Sequence, residues 1–297
     1  MTFFIEVLAG GLLAGVMYSL VALGFVLIYK ASGVFNFAQG AMVFLAALTF
    51  VSLLEMKWNF WLALLVTLVV MVGVGVLTER IVLRPLVNQP PITLFMATIG
   101  LTFVLEGLSQ MVWGSQPHGL ELGIDDVPME WLSQKWNINI SKFDLFAAVV
   151  AGVLVGSLAL FFQKTRIGRA LRAVADDHQA ALAVGISLQH IWAIVWAVAG
   201  FVALVAGMMW GVRNGVQYAL TFTALKALPV LILGGFESVP GAIIGGLIIG
   251  ASEKLAEVYL GPYVGGGIES WFAYVIALAF LLVRPQGLFG EKIIDRV

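Results

Sequence analysis

Nine apolar runs constrain this chain more than any other feature, and they fall near residues 5–29, 34–54, 60–80, 92–113, 144–163, 190–212, 219–235, 239–257 and 269–283. Most are about 20 residues long, the length a helix needs to cross a hydrocarbon layer about 30 Å thick. Backbone polar groups in lipid must be satisfied within their own segment, so such runs read as helices. The runs at 34–54 and 219–235 are the least regular. Composition agrees, since 61% of the residues are hydrophobic and 11% charged, where a soluble domain carries roughly a quarter charged residues. The expected fold is all-α: a polytopic membrane-embedded helical bundle of about eight or nine spans, some broken or short, forming one transmembrane domain over residues 1–297.

Orientation follows from where the positive charge is retained. One orientation puts Lys30, Arg80, Arg84, Lys164, Arg166, Arg169, Arg172, Arg284, Lys292 and Arg296 inside, against Lys57, Lys135, Lys142 and Arg213 outside. The N-terminus is therefore expected outside and the C-terminus in the cytoplasm. The start, Met1-Thr2-Phe3-Phe4-Ile5-Glu6, lacks the basic segment and cleavage site of a signal peptide. The first apolar run is thus expected to remain as a span.

Two polar loops stand out. The loop at 114–143 falls outside and carries Glu121, Asp125, Asp126 and Glu130 against Lys135 and Lys142, with Trp131 and Trp136 suited to the membrane–water boundary. It reads either as an interfacial cap that seals the bundle or as a docking surface for an extracytoplasmic partner, and both can hold together. The loop at 164–189 falls inside. There Lys164, Arg166, Arg169 and Arg172 precede Asp176-Asp177 and then Gln179-Ala180-Ala181-Leu182-Ala183-Val184-Gly185, a short helix-forming run ended by glycine. Such a loop suits a handle through which something outside the membrane moves the membrane part.

Function classes narrow quickly. A net charge of −1 leaves no concentrated basic surface for nucleic acid. Zero cysteines exclude disulfides, thiolate metal sites and a cysteine nucleophile. The chain has no His-Glu-x-x-His, no Gly-x-Ser-x-Gly and no Gly-x-x-x-x-Gly-Lys phosphate loop. Any use of ATP is then expected in another chain. His178 and His190 lie on the presumed cytoplasmic side and His118 on the other, so they are expected as loop residues and not as shared metal ligands.

Polar residues at membrane depth are expensive and are default functional candidates. Asn36 and Gln39 follow a chain break at Ser32-Gly33, and either turn towards a wet cavity, as broken transporter helices do, or hydrogen-bond a neighbouring helix. Thr93, Thr98 and Thr102 share a helix face with Glu106, either lining a polar path or bonding back to their own helix carbonyls. Lys226 opens the run before Pro229 and either pairs with Glu106 or snorkels to the surface. Glycines four apart, at Gly11/Gly15, Gly152/Gly156, Gly241/Gly245 and Gly246/Gly250, allow close helix approach, within this chain or at a subunit interface through 241–250.

Several segments, taken in order, resemble the permease family of branched-chain amino acid ABC importers, the LivH type. They are Ala22-Leu23-Gly24, Ile28-Tyr29 and Asn36-Phe37-Ala38-Gln39-Gly40; Glu79-Arg80 with Arg84-Pro85-Leu86; Thr98-Ile99-Gly100-Leu101; and Gly168-Arg169-Ala170 with Arg172-Ala173. Further on come Leu233-Gly234-Gly235, Ser238-Val239-Pro240-Gly241-Ala242, Gly245-Gly246 and the tail Arg284-Pro285-Gln286-Gly287-Leu288-Phe289-Gly290. Gln179-Ala180-Ala181-x-x-x-Gly185 resembles the Glu-Ala-Ala-x-x-x-Gly loop that ABC import permeases insert into their ATPase, with Gln179 in place of the glutamate. Gln39-Gly40-Ala41 stands where the family commonly has His-Gly-Glu.

The resemblance implies a multi-pass half-transporter of the bacterial inner membrane that imports amino acids, most simply branched-chain ones. It implies a second, LivM-like permease, two cytoplasmic ATPases that bind the ATP and Mg, an extracytoplasmic substrate-binding protein and surrounding lipid, with no cofactor in this chain. Related permeases serve other amino acids, amides or urea. An ion-coupled secondary transporter is the rival reading. The coupling residues expected are Asp176, Asp177, Gln179, Ala180, Ala181 and Gly185, and the pathway candidates are Asn36, Gln39, Thr98, Thr102, Glu106 and Lys226.

Overall fold

A computed structural model describes residues 2–86 and 89–290, and the side chains of Pro91, Trp136 and His178 fall outside the described set. Lys292 and Arg296, which entered the charge count, also lie outside the described residues. The helices in order are α1 (Thr2–Ser32), α2 (Gln39–Glu55), α3 (Phe60–Leu77), α4 (Pro91–Trp113), α5 (Glu130–Trp136), α6 (Lys142–Lys164), α7 (Arg166–Asp176), α8 (His178–Ala183), α9 (Leu188–Asn214), α10 (Leu220–Leu225), α11 (Ala227–Gly234), α12 (Val239–Tyr259), α13 (Gly261–Val264) and α14 (Glu269–Val283). A π-helical turn, Thr78–Leu83, and a 3-10 turn, Arg84–Leu86, extend α3. Among the described residues there is no strand, only isolated bridges such as His118 with Val216.

Six of these segments are long and apolar enough to cross a membrane, and three shorter apolar helices, Gln39–Glu55, Leu220–Gly234 and Glu269–Val283, accompany them. Each of the nine expected runs therefore has a helical counterpart. The fold is that of a polytopic helical membrane protein. Two runs differ in detail. The run expected from 34 begins its helix only at Gln39, because the Asn36 side-chain oxygen accepts the Ala38 N–H at 3.1 Å and holds a turn there. The run at 219–235 is divided into α10 and α11 at Lys226.

The chain forms two compact units. The first comprises residues 1–23, 122–156 and 226–297. In it α1 and α12 cross at a pair of small-residue motifs: a Cβ at Gly11 would lie 2.7 Å from the Gly250 carbonyl oxygen, and one at Gly246 would lie 2.6 Å from that of Gly15. Without a hydrophobic drive between helices in lipid, such backbone contact is what packing relies on. Ser19 adds hydrogen bonds to the carbonyls of Gly15 (2.9 Å) and Ile243 (3.2 Å). The glycines of 241–250 are thus spent inside the chain: Gly241 meets Gly234, and Gly245 meets the Val230 carbonyl. Gly152 and Gly156 do not join this pattern, since Gly152 touches only the Val16 side chain and nothing lies near Gly156.

The same unit brings two distant sequence motifs together. Leu288 and Phe289 of the tail donate their N–H groups to the carbonyls of Leu233 (2.8 Å) and Gly234 (3.1 Å), capping α11. In the 122–156 segment α5 is a short helix, with Trp131 exposed and the Lys135 ammonium 5.5 Å from its ring centre.

The second unit comprises residues 24–121 and 157–225. Its centre is α9, packed on α2 and α3, with α2 buried without interruption from Gln39 to Ser52. A contrasting stripe on α3, Trp61, Leu65, Val69, Val72 and Val76, faces outward. Its helical spacing and apolar character fit a lipid-facing surface.

Candidate functional site

Two parts of the second unit hold most of the residues singled out by sequence. The first is the polar stretch after α6. Thr165 opens α7, its hydroxyl oxygen accepting the Gly168 N–H at 3.2 Å. The helix runs one amphipathic turn after another, burying Gly168, Leu171 and Val174 while its basic residues stay outside. Two of these are not idle: Arg172 donates to the carbonyls of Phe162 (2.7 Å) and Gln163 (3.4 Å), and Arg169 to that of Lys164 (3.4 Å). Guanidinium groups at the C-terminus of α6 satisfy its orphan carbonyls and oppose its dipole. Gly168 is required beneath them, because a Cβ there would collide with the Phe162 backbone.

Asp177 then serves as N-cap of α8, its carboxylate accepting from the N–H groups of Gln179 (2.8 Å) and Ala180 (3.0 Å). At the other end the Gly185 N–H reaches the Leu182 carbonyl at 3.0 Å and the Ile186 N–H the Ala181 carbonyl at 2.9 Å. Gly185 sits at φ +85°, where a side chain is disfavoured. α8 is six residues long and is held at both ends by the residues that flank it. Ala181 is its buried side, while Gln179, Ala180, Leu182, Ala183 and Val184 face out, Val184 at 75% exposure.

Beside this helix lies a cleft of about 440 Å³ lined by Arg84, Leu182, Gly185, Ile186, Ser187, Leu188, Gln189 and Trp192. Arg84 is aimed by a bidentate pair with Glu79, at 3.2 and 3.0 Å. The Trp192 indole N–H donates to the Ala31 carbonyl at 2.9 Å. Arg84 and Trp192 are functional candidates that the sequence did not single out. The pairing of Glu79 with Arg84 spans five residues, a spacing that a π-helical turn brings onto one face and an α-helix does not.

The second part is the break between α1 and α2. Asn36, Gln39 and Thr98 are fully buried. The Asn36 amide donates to the Gln39 side-chain oxygen at 3.1 Å, and the Gln39 amide donates to the Ala199 carbonyl of α9 at 3.4 Å. The Thr98 hydroxyl accepts the Phe37 N–H at 3.3 Å and lies 3.1 Å from the Phe35 carbonyl, so α4 stitches the broken segment. Thr102 donates back to the Thr98 carbonyl at 3.0 Å. Phe25, Phe35, Phe37 and Phe95 form a chain of ring contacts around the break, with centres 4.9, 4.9 and 5.0 Å apart.

Glu106 and Lys226 take separate partners. Glu106 accepts from the Tyr218 hydroxyl at 3.3 Å, and its charge pushes the Tyr218 phenol above its usual range. Lys226 lies 3.0 Å from Glu253 in the first unit. Of the histidines, His118 meets Glu55 at 2.9 Å and His190 meets Ser187 at 2.8 Å. Among the described residues no three His, Cys, Asp or Glu side chains gather as a metal site.

Comparison with known proteins places this arrangement in a family. The family described as "Branched-chain amino acid transport system / permease component" matches residues 7–284. The chain is similar to the high-affinity branched-chain amino acid transport system permease protein LivH of Escherichia coli (strain K12), with 27% identity over 99% of this chain and 98% of that protein. It is 30% identical to the probable branched-chain amino acid transport permease protein LivH of Methanocaldococcus jannaschii, over 96% of this chain and 92% of that one. A more distant similarity, 25% identity over 91% of this chain and 75% of the other, is to the fructose import permease protein FruF of Bifidobacterium longum. The chain belongs to the permease component family of branched-chain amino acid transport systems.

Proposed function

We propose that this permease imports amino acids across the bacterial inner membrane as one membrane half of an ABC importer, with α7 and α8 on the cytoplasmic face. Its partners on this reading are a second, LivM-like permease, two ATPases that bind ATP and Mg, and an extracytoplasmic substrate-binding protein. This chain contributes no ATP site, and the pathway forms between the two permeases. The observation that carries the reading is α8: a six-residue helix, capped by the preceding Asp177, that presents Leu182, Ala183 and Val184 outward beside a cleft. An apolar tip on a polar segment suits the groove of a partner protein better than water. Movement of the ATPases would pass through Asp176, Asp177, Gln179, Ala180, Ala181 and Gly185 into α9, which follows directly.

For the route we assign Asn36, Gln39, Thr98, Thr102 and Glu106 in the second unit and, separately, Lys226 in the first. The buried amides act as the fixed joint of a broken span, and Glu106 offers a carboxylate to a passing ammonium group. The similarity to a fructose permease supports a second reading in which the cargo is a sugar. Proteoliposomes holding this chain with its partners are expected to accumulate L-leucine only with internal ATP and binding protein. Uptake of leucine by the chain alone would replace the importer reading with a secondary transporter, and uptake of fructose in place of leucine would favour the sugar.

A further inference from the structure

In the first unit four charges meet where α11, α12 and α14 come together. Lys226 Nζ stands 3.0 Å from Glu253 and 3.9 Å from Glu269, and Lys254 Nζ stands 2.7 Å from the other oxygen of Glu269. Glu253 is 2% exposed and also takes a side-chain hydrogen bond from Tyr18, whereas Lys226, Lys254 and Glu269 are each about 30% exposed. The backbone at Glu269 is anchored in turn: Glu257 accepts from the N–H groups of Gly267 and Glu269, both at 2.8 Å.

A purely structural role explains this poorly. Burying the Glu253 carboxylate beside Lys226 is costly, and apolar residues of similar size commonly hold helices as well or better. Within the set the Lys226–Glu269 pair, at 3.9 Å, is longer than a hydrogen bond, while Lys226–Glu253 and Lys254–Glu269 are at 3.0 and 2.7 Å, so the Glu269 oxygen that faces Lys226 is the loosest contact. Its two lysines and two glutamates balance one another, and the neighbouring Glu257 carboxylate is taken up by the backbone N–H groups of Gly267 and Glu269. A guest that brings one carboxylate and one ammonium leaves that balance unchanged, while a lone acid or amine adds a net charge to a weakly solvated site.

We propose that Lys226, Glu253, Lys254 and Glu269 bind the zwitterionic head of an α-amino acid, with its carboxylate on Lys226 and its ammonium on Glu269. Glu253 holds Lys226 in place, and Glu257 positions Glu269. The proposal rests on the amino-acid reading of the cargo and names which groups meet it.

The test is ligand-dependent thermal stabilisation of the full chain, purified in detergent with its membrane and ATPase partners but without the binding protein. L-leucine at about 50 mM is expected to raise Tm, and isovalerate or isoamylamine, its acid-only and amine-only counterparts, to give at most about a third of that rise. Lys226→Met and the near-isosteric Glu269→Gln are expected to lose at least about three quarters of the leucine response, while Lys226→Arg keeps most of it. A purely structural role would lower the ligand-free Tm and leave the response to leucine intact, and that result, or equal responses to acid, amine and zwitterion, would overturn the site. A wild-type response to fructose with none to leucine would overturn the amino-acid reading itself.

Discussion

The second unit has a break between α1 and α2, around Asn36 and Gln39, and a polar stretch at 164–189, and the two are built in opposite ways. At the first, every amide turns inward: Asn36 and Gln39 are fully buried and bond each other, α9 and the local backbone. At the second, the polar groups satisfy the backbone of their own segment, and the apolar side chains Leu182 and Val184 turn outward. A buried polar group without a partner costs about 1–3 kcal/mol, so the first break must be complete within the chain. An exposed turn carries no such demand, and its shape is free to serve a surface elsewhere. Substitutions at the first break are therefore expected to act on stability, and those at the second on transport.

The largest effect belongs to the outward tip of α8. Leu182→Glu and Val184→Glu are expected to lower ATP-driven uptake in proteoliposomes by at least about tenfold with Tm unchanged, because surface substitutions seldom move stability by more than about 0.5 kcal/mol. Next comes Gln39→Ala, which removes both Gln39 hydrogen bonds and leaves the buried Asn36 amide only the weak Met42 sulfur as acceptor. A loss of about 1–3 kcal/mol, read as a lower Tm of the detergent-purified chain, is expected. Smaller again is Asp177→Ala, which removes the cap of α8 at a local cost of about 1 kcal/mol. It should reduce uptake only in part and leave global Tm near its starting value. The smallest belongs to Gln179→Glu. Gln179 is exposed on α8, and restoring the family's glutamate near an N-terminus adds at most about 0.5 kcal/mol of dipole stabilisation, so uptake should stay within about twofold. A stability loss at Leu182 or Val184 equal to that at Gln39 would erase the distinction between the two breaks.

Much of this architecture was legible in the sequence, and the illegible part has physical causes. Apolar length alone locates nine helical segments, because lipid leaves the backbone no alternative. Gly185 as a helix stop and Asn36 with Gln39 as a polar break are equally local signals. The partner of a buried polar group is not local. Glu106 with Lys226 is a plausible pair of opposite charges by sequence, yet Glu106 takes Tyr218, and Lys226 takes Glu253 and Glu269. Glu253, Lys254 and Glu269 lie in two separate apolar runs, with nothing local to link them, and packing gathers them. The Glu79–Arg84 pair hides for a different reason, since its five-residue spacing belongs to a π-helical turn. The basic residues of α7, read as topology markers, also cap α6.

The central claim is that α8 is a contact for an outside engine, and it is most directly tested by thiol accessibility, for which a chain without cysteine is well suited. A Val184→Cys variant in inside-out membrane vesicles would be treated with a membrane-impermeant maleimide, with and without the ATPase subunits. The account predicts rapid labelling of the chain without ATPases and labelling at least about tenfold slower in the assembled complex, since an interface excludes solvent from its apolar core. Equal labelling rates in the two preparations, or labelling only from the opposite side of the membrane, would contradict it.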